Sequence, residues 1–228
     1  MTRKKVDGLE KKDDREVRRV TVDTQQKLLE WTKRIQALAQ SGLAYGKDEF
    51  DIERYEELRE ISVDMMELMS GQERVDIKSW FANETGYATP KVGARAVIFR
   101  DEKMLFVREK ADGKWCLPGG WSDIGQTPSG SVIKEVREET GYEVEVKRML
   151  ALFDRKCHNQ LPSAFDIYTF YFECDIIGGE PSESIEIEEI GFFGVDELPP
   201  ISLDRMTPEQ IRLLFTYMNN PSLTPYFD

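Results

Sequence analysis

The sequence is poor in the residues that transition-metal sites and disulfides require. Its 228 residues include one histidine and three cysteines, Cys116, Cys157 and Cys174, with no CxxC spacing. An odd number of cysteines in this arrangement indicates reduced, intracellular thiols rather than a disulfide framework. Cys157 and His158 stand next to no other cysteine or histidine, so we interpret them as an incidental pair and not as a zinc site.

Hydrophobic runs and excess positive charge are also missing. The basic start of the chain has no apolar run behind it, which argues against a signal peptide. No stretch approaches the roughly 20 apolar residues that cross a bilayer. We therefore expect a cytoplasmic protein with no membrane partner. Lys and Arg number 31 against 43 Asp and Glu, a net charge of −12, so the chain as a whole lacks the positive surface typical of nucleic-acid binding.

The amino-terminal third reads as a charged arm followed by helices. Residues 1–22 contain eight Lys or Arg and five acidic residues, which predicts a solvated tail or arm. Two segments with helical spacing follow, the first interrupted at Ser41 and Gly42 and the second ending at Gly71. Because amphipathic helices must bury their apolar faces, we predict a helical domain over residues 23–86. We favour dimerisation of this domain over packing within the chain.

Residues 87–228 mix strand and helix patterns. A helix over residues 128–140 is predicted by the N-cap Thr127 and a proline at the first helical position. A last helix is predicted from Thr207 and the capping-box residue Gln210. The predicted strands cover residues 92–99, 104–107, 143–154, 164–176 and 190–195. Strands combined with two separated helices predict a layered α/β domain.

The helix over residues 128–140 carries the clearest chemical signal. Its residues Glu135, Glu138 and Glu139 share one face because they are three and four positions apart. Like charges at this spacing oppose each other by roughly 0.2–0.5 kcal/mol per pair, and they lie near the negative end of the helix dipole. A sequence that tolerates both penalties indicates a bound cation. Clustered carboxylates suit Mg²⁺, with Mn²⁺ as an alternative.

The same stretch resembles the Nudix box of Nudix hydrolases. Pro118-Gly119-Gly120 is followed by Gln126 and then by the run Lys134-Glu135-Val136-Arg137-Glu138-Glu139-Thr140-Gly141-Tyr142. Two positions depart from the family pattern: Gln126 stands where Glu is usual, and Lys134 where Arg is usual. In the family these two side chains are expected to pair and to brace the loop onto the helix, and an amide facing an ammonium does so more weakly.

The resemblance implies a fold and a set of metal ligands. The expected fold is a Nudix α/β/α sandwich preceded by a smaller helical domain, with the catalytic domain over residues 87–228. Glu135 and Glu139 are the expected main ligands of the metal, and Glu138 is a ligand or an acceptor beside it. The carbonyl of Gly120 is the fourth expected ligand, since paired glycines let a backbone approach closely.

A second resemblance bears on the substrate. Residues 42–61 are similar to the amino-terminal region of a Nudix group from low-GC Gram-positive bacteria, which includes CDP-choline pyrophosphatases and proteins labelled ADP-ribose pyrophosphatases. It implies a pyrophosphatase acting on a nucleoside diphosphate joined to a small moiety. We expect CDP-choline to be cleaved to CMP and phosphocholine, with ADP-ribose as the next candidate.

A general base is predicted in the acidic segment after the box. Glu186 is the first candidate, because the family often uses this loop to approach the site, and Glu138 and Glu139 complete the predicted catalytic set. Glu183, Glu188 and Glu189 are alternatives to Glu186.

Cations and aromatics near the box are candidate substrate contacts. Arginine and lysine side chains bind phosphates or a base edge, and aromatic rings stack on nucleobases, although core packing is an equal use for them. The candidates are Arg95, Arg108, Lys114, Arg155, Lys156, Trp121 and Phe153.

Two other functions stay open. The same metal centre could support trimming of RNA from its 3′ end, although the acidic chain argues against tight RNA binding. A non-catalytic nucleotide-binding module with a decayed box is the other, supported by Gln126 and Lys134 alone.

Overall fold

The chain forms two compact units, Met1–Thr89 and Pro90–Asp228. The structure is a computed structural model, which describes residues 13–159, 161, 163–182 and 184–228. In the described residues, no helix is long and apolar enough to cross a membrane.

The first unit is helical. It contains α1 (Asp13–Tyr45), α2 (Glu49–Ser70) and α3 (Arg74–Trp80), and α1 packs along α2. Helix α2 is capped by Asp48, whose carboxylate accepts hydrogen bonds from the N–H groups of Phe50 and Asp51. It ends at Gly71, which has a φ of 67°, so the glycine stop predicted there is observed.

Two predictions for this unit differ from the structure. Helix α1 continues through Ser41 and Gly42, where we expected a break, because Gly42 lies against α2: a Cβ at this position would be 2.4 Å from the ring of Tyr55. The helix also begins at Asp13 and so includes part of the predicted arm. Residues 1–12 of the arm lie outside the described part of the chain.

In its described residues, the second unit contains two sheets and three helices. Strands β5, β1, β7, β6 and β9 form the larger sheet in that order, and β2, β3 and β4 form the smaller one, with β8 paired to β3. The strands are β1 (Lys91–Val97), β2 (Phe99–Arg100), β3 (Lys103–Glu109), β4 (Trp115–Cys116), β5 (Gly119–Trp121), β6 (Tyr142–Asp154), β7 (Ile167–Gly179), β8 (Ile187–Phe193) and β9 (Tyr226–Phe227). The helices are α4 (Pro128–Thr140), α5 (Arg155–His158) and α6 (Pro208–Asn219).

The helices α4 and α6 belong to separate apolar clusters. Ala94 and Ala96 of β1 pack with α4, whereas Val97 packs in the cluster of α6. This alternation is expected of a strand that is covered on both faces. The larger sheet is therefore the central layer that carries both helices.

The elements agree with the predicted pattern except at short pieces. Helix α4 has the predicted bounds and Thr127 caps it, accepting from the N–H of Gly130. Strand β7 lies three residues later than predicted and β8 starts three residues earlier. The short strands β4, β5 and β9 and the short helices α3 and α5 were not predicted, because two to seven residues are too few for a periodic pattern.

Candidate active site

A cleft of about 340 Å³ lies in the second unit. It is bordered by β1, β5, β7 and α4, by the segment that follows β6, by Glu186 just before β8, and by the segment that leads into α6. Its polar lining consists of Arg95, Glu109, Glu135, Glu139, Arg155, Asn159, Ser163, Thr169, Glu186, Asp204, Arg205 and Gln210. Its apolar and aromatic lining consists of Trp121, Phe153, Phe165, Ile167 and Tyr171.

Gly119 of β5 lies close against the backbone of β1. Its φ is +139°, and a Cβ there would lie 2.2 Å from the carbonyl oxygen of Ala94. Only glycine fits this position. The resulting close approach lets the N–H of Gly119 donate a hydrogen bond of 2.9 Å to Oε2 of Glu139.

Glu139 is a buried carboxylate of α4. Burial raises its pKa to about 8, against the opposing effects of the Gly119 N–H and the charge of Arg95. Arg95 is itself buried and donates from Nη1 to the carbonyl oxygen of Leu117 at 2.5 Å. Ionised Glu139 is therefore costly in the protein alone, and a cation in the cleft would relieve that cost.

Glu135 occupies space that Gly120 leaves open. A Cβ on Gly120 would lie 3.0 Å from Oε2 of Glu135 and 3.2 Å from its Oε1. Burial raises the pKa of Glu135, and the charges of Glu138 and Glu186 raise it further. The carboxylates of Glu135 and Glu186 are thus close enough to interact, and both line the cleft together with Glu139.

Glu138 is directed differently from the other two glutamates. It is exposed, it does not line the cleft, and its Oε2 lies 3.9 Å from Nζ of Lys134. At about 100° per residue, Glu138 is rotated about 60° from Glu135 and about 100° from Glu139 around the helix. The predicted cluster of three is therefore a pair facing the cleft with a third acid outside it.

The donors present fit a magnesium site of few protein ligands. Among the described residues, no group of three or more Asp, Glu, His or Cys side chains is arranged to hold a metal ion. Mg²⁺, however, is usually held by one or two carboxylates, with water and substrate phosphates completing its shell. Glu135 and Glu139 supply two carboxylates with raised pKa values, and Gly120 lies beside them.

The expected brace uses a different partner. Nζ of Lys134 donates to Oδ2 of Asp123 at 2.9 Å, and not to Gln126 as we predicted. A carboxylate is a stronger partner for an ammonium than an amide is. Since Asp123 and Gln126 belong to the same loop, the loop is still attached to α4.

Of the predicted substrate contacts, four line the cleft: Arg95, Trp121, Phe153 and Arg155. Arg155 is paired with Asp204, with 2.6 Å between Nη2 and Oδ1. Phe153 is buried against Tyr171, so core packing describes it better than base stacking.

Arg108, Lys114 and Lys156 do not line the cleft. Strand pairing places Arg108 opposite Glu189, and Nη2 of Arg108 lies 2.7 Å from Oε2 of Glu189 and 3.6 Å from Oε1 of Glu188. The two alternative bases on β8 are therefore held in ion pairs, whereas Glu186 lines the cleft. The third alternative, Glu183, lies outside the described residues.

Several residues that line the cleft were not predicted from the sequence as site residues. Arg205 donates to both carboxylate oxygens of Glu109, at 3.0 and 2.8 Å, although 96 residues separate them. Asn159 and Gln210 also line the cleft. The capping-box pattern identified Gln210 as part of a helix start but gave no sign that it faces a cavity.

Comparisons with known proteins follow the same division of the chain. A family model described as the NUDIX domain matches residues 89–217. A second, described as a UDP-X-like, N-terminal oligomerisation domain, matches residues 26–81.

Individual relatives cover most of the chain. YjhB of Bacillus subtilis (strain 168), by its name a proposed ADP-ribose pyrophosphatase, is 41% identical over 207 residues, which are 91% of this chain and 100% of YjhB. A crystal structure of a UDP-X diphosphatase has a TM-score of 0.59 and 35% identity, covering 90% of this chain and 99% of that one. An ADP-ribose pyrophosphatase structure from Streptococcus suis 89-1591 has a TM-score of 0.57 and 38% identity, covering 61% of this chain and 100% of that one.

Proposed function

Because this chain belongs to the Nudix hydrolase family, we propose that it is a metal-dependent pyrophosphatase acting on a nucleoside diphosphate joined to a small moiety. The observation that supports this most is the pairing of Glu135 and Glu139 in one cleft, beside Gly119 and Gly120. Two carboxylates with raised pKa values suit a hard divalent cation, and the remaining cleft has room for an organic ligand.

Each residue near the pair has a proposed role. Glu135 and Glu139 hold Mg²⁺, or Mn²⁺ in its place, with the Gly120 carbonyl as a further ligand and Glu138 as an acceptor outside the cleft. When bound, the metal supplies positive charge against the phosphoryl oxygens. Glu186 accepts the proton of the attacking water, because its carboxylate lines the same cleft as Glu135 and, among the described residues, no arginine pairs with it as Arg108 does with Glu189.

ADP-ribose is the substrate that the relatives favour. YjhB and the Streptococcus suis structure are both named for it, and so is a Methanocaldococcus jannaschii protein 31% identical over 121 residues. Cleavage of ADP-ribose at its diphosphate would give AMP and ribose 5-phosphate.

CDP-choline is the second candidate, favoured by the lining of the cleft. Trp121 and Phe165 offer aromatic faces, and Glu186 and Asp204 offer negative charge. Aromatic faces with acidic neighbours are suited to a quaternary ammonium group. RNA is not proposed, because the relatives named above carry nucleoside diphosphate names and the net charge of −12 opposes polyanion binding.

A hydrolysis screen tests this proposal. Purified protein is incubated with Mg²⁺ or Mn²⁺ and ADP-ribose, CDP-choline, UDP-sugars or short RNA, and released nucleoside monophosphate is measured. We expect release from at least one diphosphate, and a loss of at least about a hundredfold in kcat for Glu139→Gln. The control is Glu145→Gln, which makes the same exchange at an exposed position outside the cleft. Nucleotide binding without turnover by either metal would instead favour the non-catalytic module.

We further propose that the helical unit forms a homodimer. It matches the oligomerisation model, and Trp31, Leu38 and Tyr45 of α1 are more than half exposed at intervals of seven residues. This spacing places them on one face of the helix. Light scattering should show a dimer for the wild type and a monomer for Leu38→Glu. Gln72→Glu, which adds the same charge at an exposed position after α2, should remain dimeric.

A further inference from the structure

Two amide side chains that line the cleft each have one polar atom in a hydrogen bond and one without a partner among the described residues. Gln210 is 3% exposed and lines the cleft from the first turn of α6. Its Oε1 accepts a hydrogen bond of 2.8 Å from the N–H of Thr207, which completes the capping box. That bond fixes which end of the amide is oxygen. Nε2 is left without a hydrogen-bond partner among the described residues, because the bond from Thr207 is the one that this side chain makes there.

Asn159 presents the opposite polarity. It is 9% exposed, follows α5 and lines the same cleft. Its Nδ2 donates to the carbonyl oxygen of Leu203 at 2.8 Å, which again fixes the orientation of the amide. Its Oδ1 has no partner within the described part of the chain. The cleft thus has one donor and one acceptor without a protein partner among the described residues. Neither atom is among the fully buried unpaired atoms of that part of the chain, so both are accessible from the cleft and available to a ligand.

The position of Asn159 in the fold separates it from the proposed metal ligands. Gly119 and Gly120 belong to β5, whereas Asn159 follows the short helix after β6, and β1 and β7 lie between those two strands. Three strand spacings amount to about 14 Å. A nucleoside can span this distance when the phosphates of its diphosphate lie beside Glu135 and Glu139.

The chemistry around the two amides favours a neutral, flat group. The arginines nearby are already matched by carboxylates, Arg155 by Asp204 and Arg205 by Glu109. Tyr171, which also lines the cleft, adds an aromatic surface. A nucleobase has a flat face together with donors and acceptors on its edge. The quaternary ammonium of choline has no hydrogen-bond donor.

Building on the proposed function, we propose that Asn159 and Gln210 form the subsite that reads the nucleobase of the substrate. Nε2 of Gln210 donates to an acceptor on the base edge, and Oδ1 of Asn159 accepts from a base N–H. Both side chains are specificity-determining residues, since neither belongs to the elements that carry the carboxylates proposed to act on the diphosphate.

The substitution Gln210→Glu tests the donor while preserving the cap. The glutamate can still accept from Thr207 N–H, but it replaces the free donor by an acceptor. Binding of AMP, CMP and UMP, and of ribose 5-phosphate as a ligand without a base, is measured by calorimetry. The matched control is Arg212→Gln, which lowers the charge of α6 by the same amount at an exposed position outside the cleft.

We expect Gln210→Glu to weaken the best-bound nucleoside monophosphate about tenfold, with ribose 5-phosphate affinity unchanged. The melting temperature should fall, because the new carboxylate is buried. In hydrolysis, KM for the nucleoside diphosphate should rise while kcat changes little. Asn159→Leu, which removes the acceptor, is a second variant in case the first does not fold, and it should give the same selective loss.

Unchanged monophosphate affinity in a folded variant would overturn the proposal. So would an equal loss for ribose 5-phosphate, since that would place the sugar phosphate and not the base at the amides, or a wild-type protein that binds no monophosphate. Binding is measured without turnover, so a wild type that binds monophosphates but hydrolyses no diphosphate would refute the proposed function and leave the base subsite standing.

Discussion

The carboxylate of Glu139 accepts a hydrogen bond from the backbone N–H of Gly119 across 2.9 Å. This contact joins helix α4 to strand β5 through a glycine that no other residue could replace, because a Cβ would overlap the carbonyl oxygen of Ala94. Backbone geometry therefore holds the Glu139 carboxylate in a buried position. This burial affects its pKa and, through it, metal binding.

Metal binding should release a proton from Glu139. Its pKa is raised from the ordinary value of 4.5 to about 8, so the folded, metal-free protein holds a proton that the unfolded chain has lost. The contribution of this group to stability is thus fully present below about pH 4.5 and is lost as the pH rises through 8. A metal that needs the carboxylate ionised must displace this proton.

We therefore expect Mg²⁺ affinity to rise about tenfold per pH unit between pH 6 and 7.5 and to level off above about pH 8.5. Calorimetry in two buffers with different ionisation enthalpies measures the protons released. Glu139→Gln should release fewer protons than the wild type, while Glu145→Gln should match it. A proton release near zero at pH 7 would contradict the assignment of Glu139 as a ligand.

A methyl group on Gly120 should displace Glu135. In Gly120→Ala the new Cβ would lie 3.0 Å from Oε2 of Glu135, so the carboxylate must move. We expect Mg²⁺ affinity to fall by about ten- to a hundredfold, a range seen when groups that orient metal ligands are removed. Gly194→Ala is the control, because a Cβ there meets no atom within 4 Å. Equal Mg²⁺ affinities in the two variants would show that Glu135 does not hold the metal.

Glu186 and Glu189 should differ sharply as bases. Glu186 lines the cleft, whereas Glu189 is paired with Arg108. Glu186→Gln should lower kcat by roughly 10²- to 10⁴-fold, the range for loss of a general base, with substrate affinity little changed. Glu189→Gln should keep kcat within about twofold. Mg²⁺ affinity measured by calorimetry distinguishes a lost base from a lost metal contact, because only the loss of a metal contact lowers it.

The family, the enzyme class and the main helices and strands could be predicted from the sequence, because local sequence patterns indicate them. The Nudix resemblance and the α/β fold with a helical amino-terminal domain are confirmed by the comparisons. Helix α4 could be placed because a cap, a proline start and a glycine end are adjacent in sequence. The shared face of Glu135 and Glu139 follows from helix periodicity alone.

Long-range contacts could not be predicted in this way. The pairing of Glu109 with Arg205 joins residues 96 positions apart, and the ion pair of Arg108 with Glu189 depends on the register of β3 and β8. Nothing local distinguishes an arginine that faces a cleft from one that faces a neighbouring strand. The directions of Glu138 and Lys134 are likewise set by their surroundings, through which Asp123 replaces Gln126 as a partner.

At Gly42, helix propensity and packing predict opposite effects of a substitution by alanine. From helix propensity alone, Gly42→Ala should stabilise the protein, since alanine is more favourable than glycine in a helix by about 1 kcal/mol. In the structure it lies inside α1, and a Cβ would approach the ring of Tyr55 to 2.4 Å. We therefore expect Gly42→Ala to lower the free energy of unfolding by about 1–3 kcal/mol, the usual cost of overpacking.

Denaturant unfolding of four proteins tests this sign: the wild type, Gly42→Ala, Tyr55→Ala and the double variant. With the ring removed, the added methyl group has room, so Gly42→Ala should become stabilising in the Tyr55→Ala background. The interaction free energy between the two positions should then be at least about 1 kcal/mol. If Gly42→Ala stabilises the protein equally with and without the ring, α1 and α2 do not approach each other at Gly42.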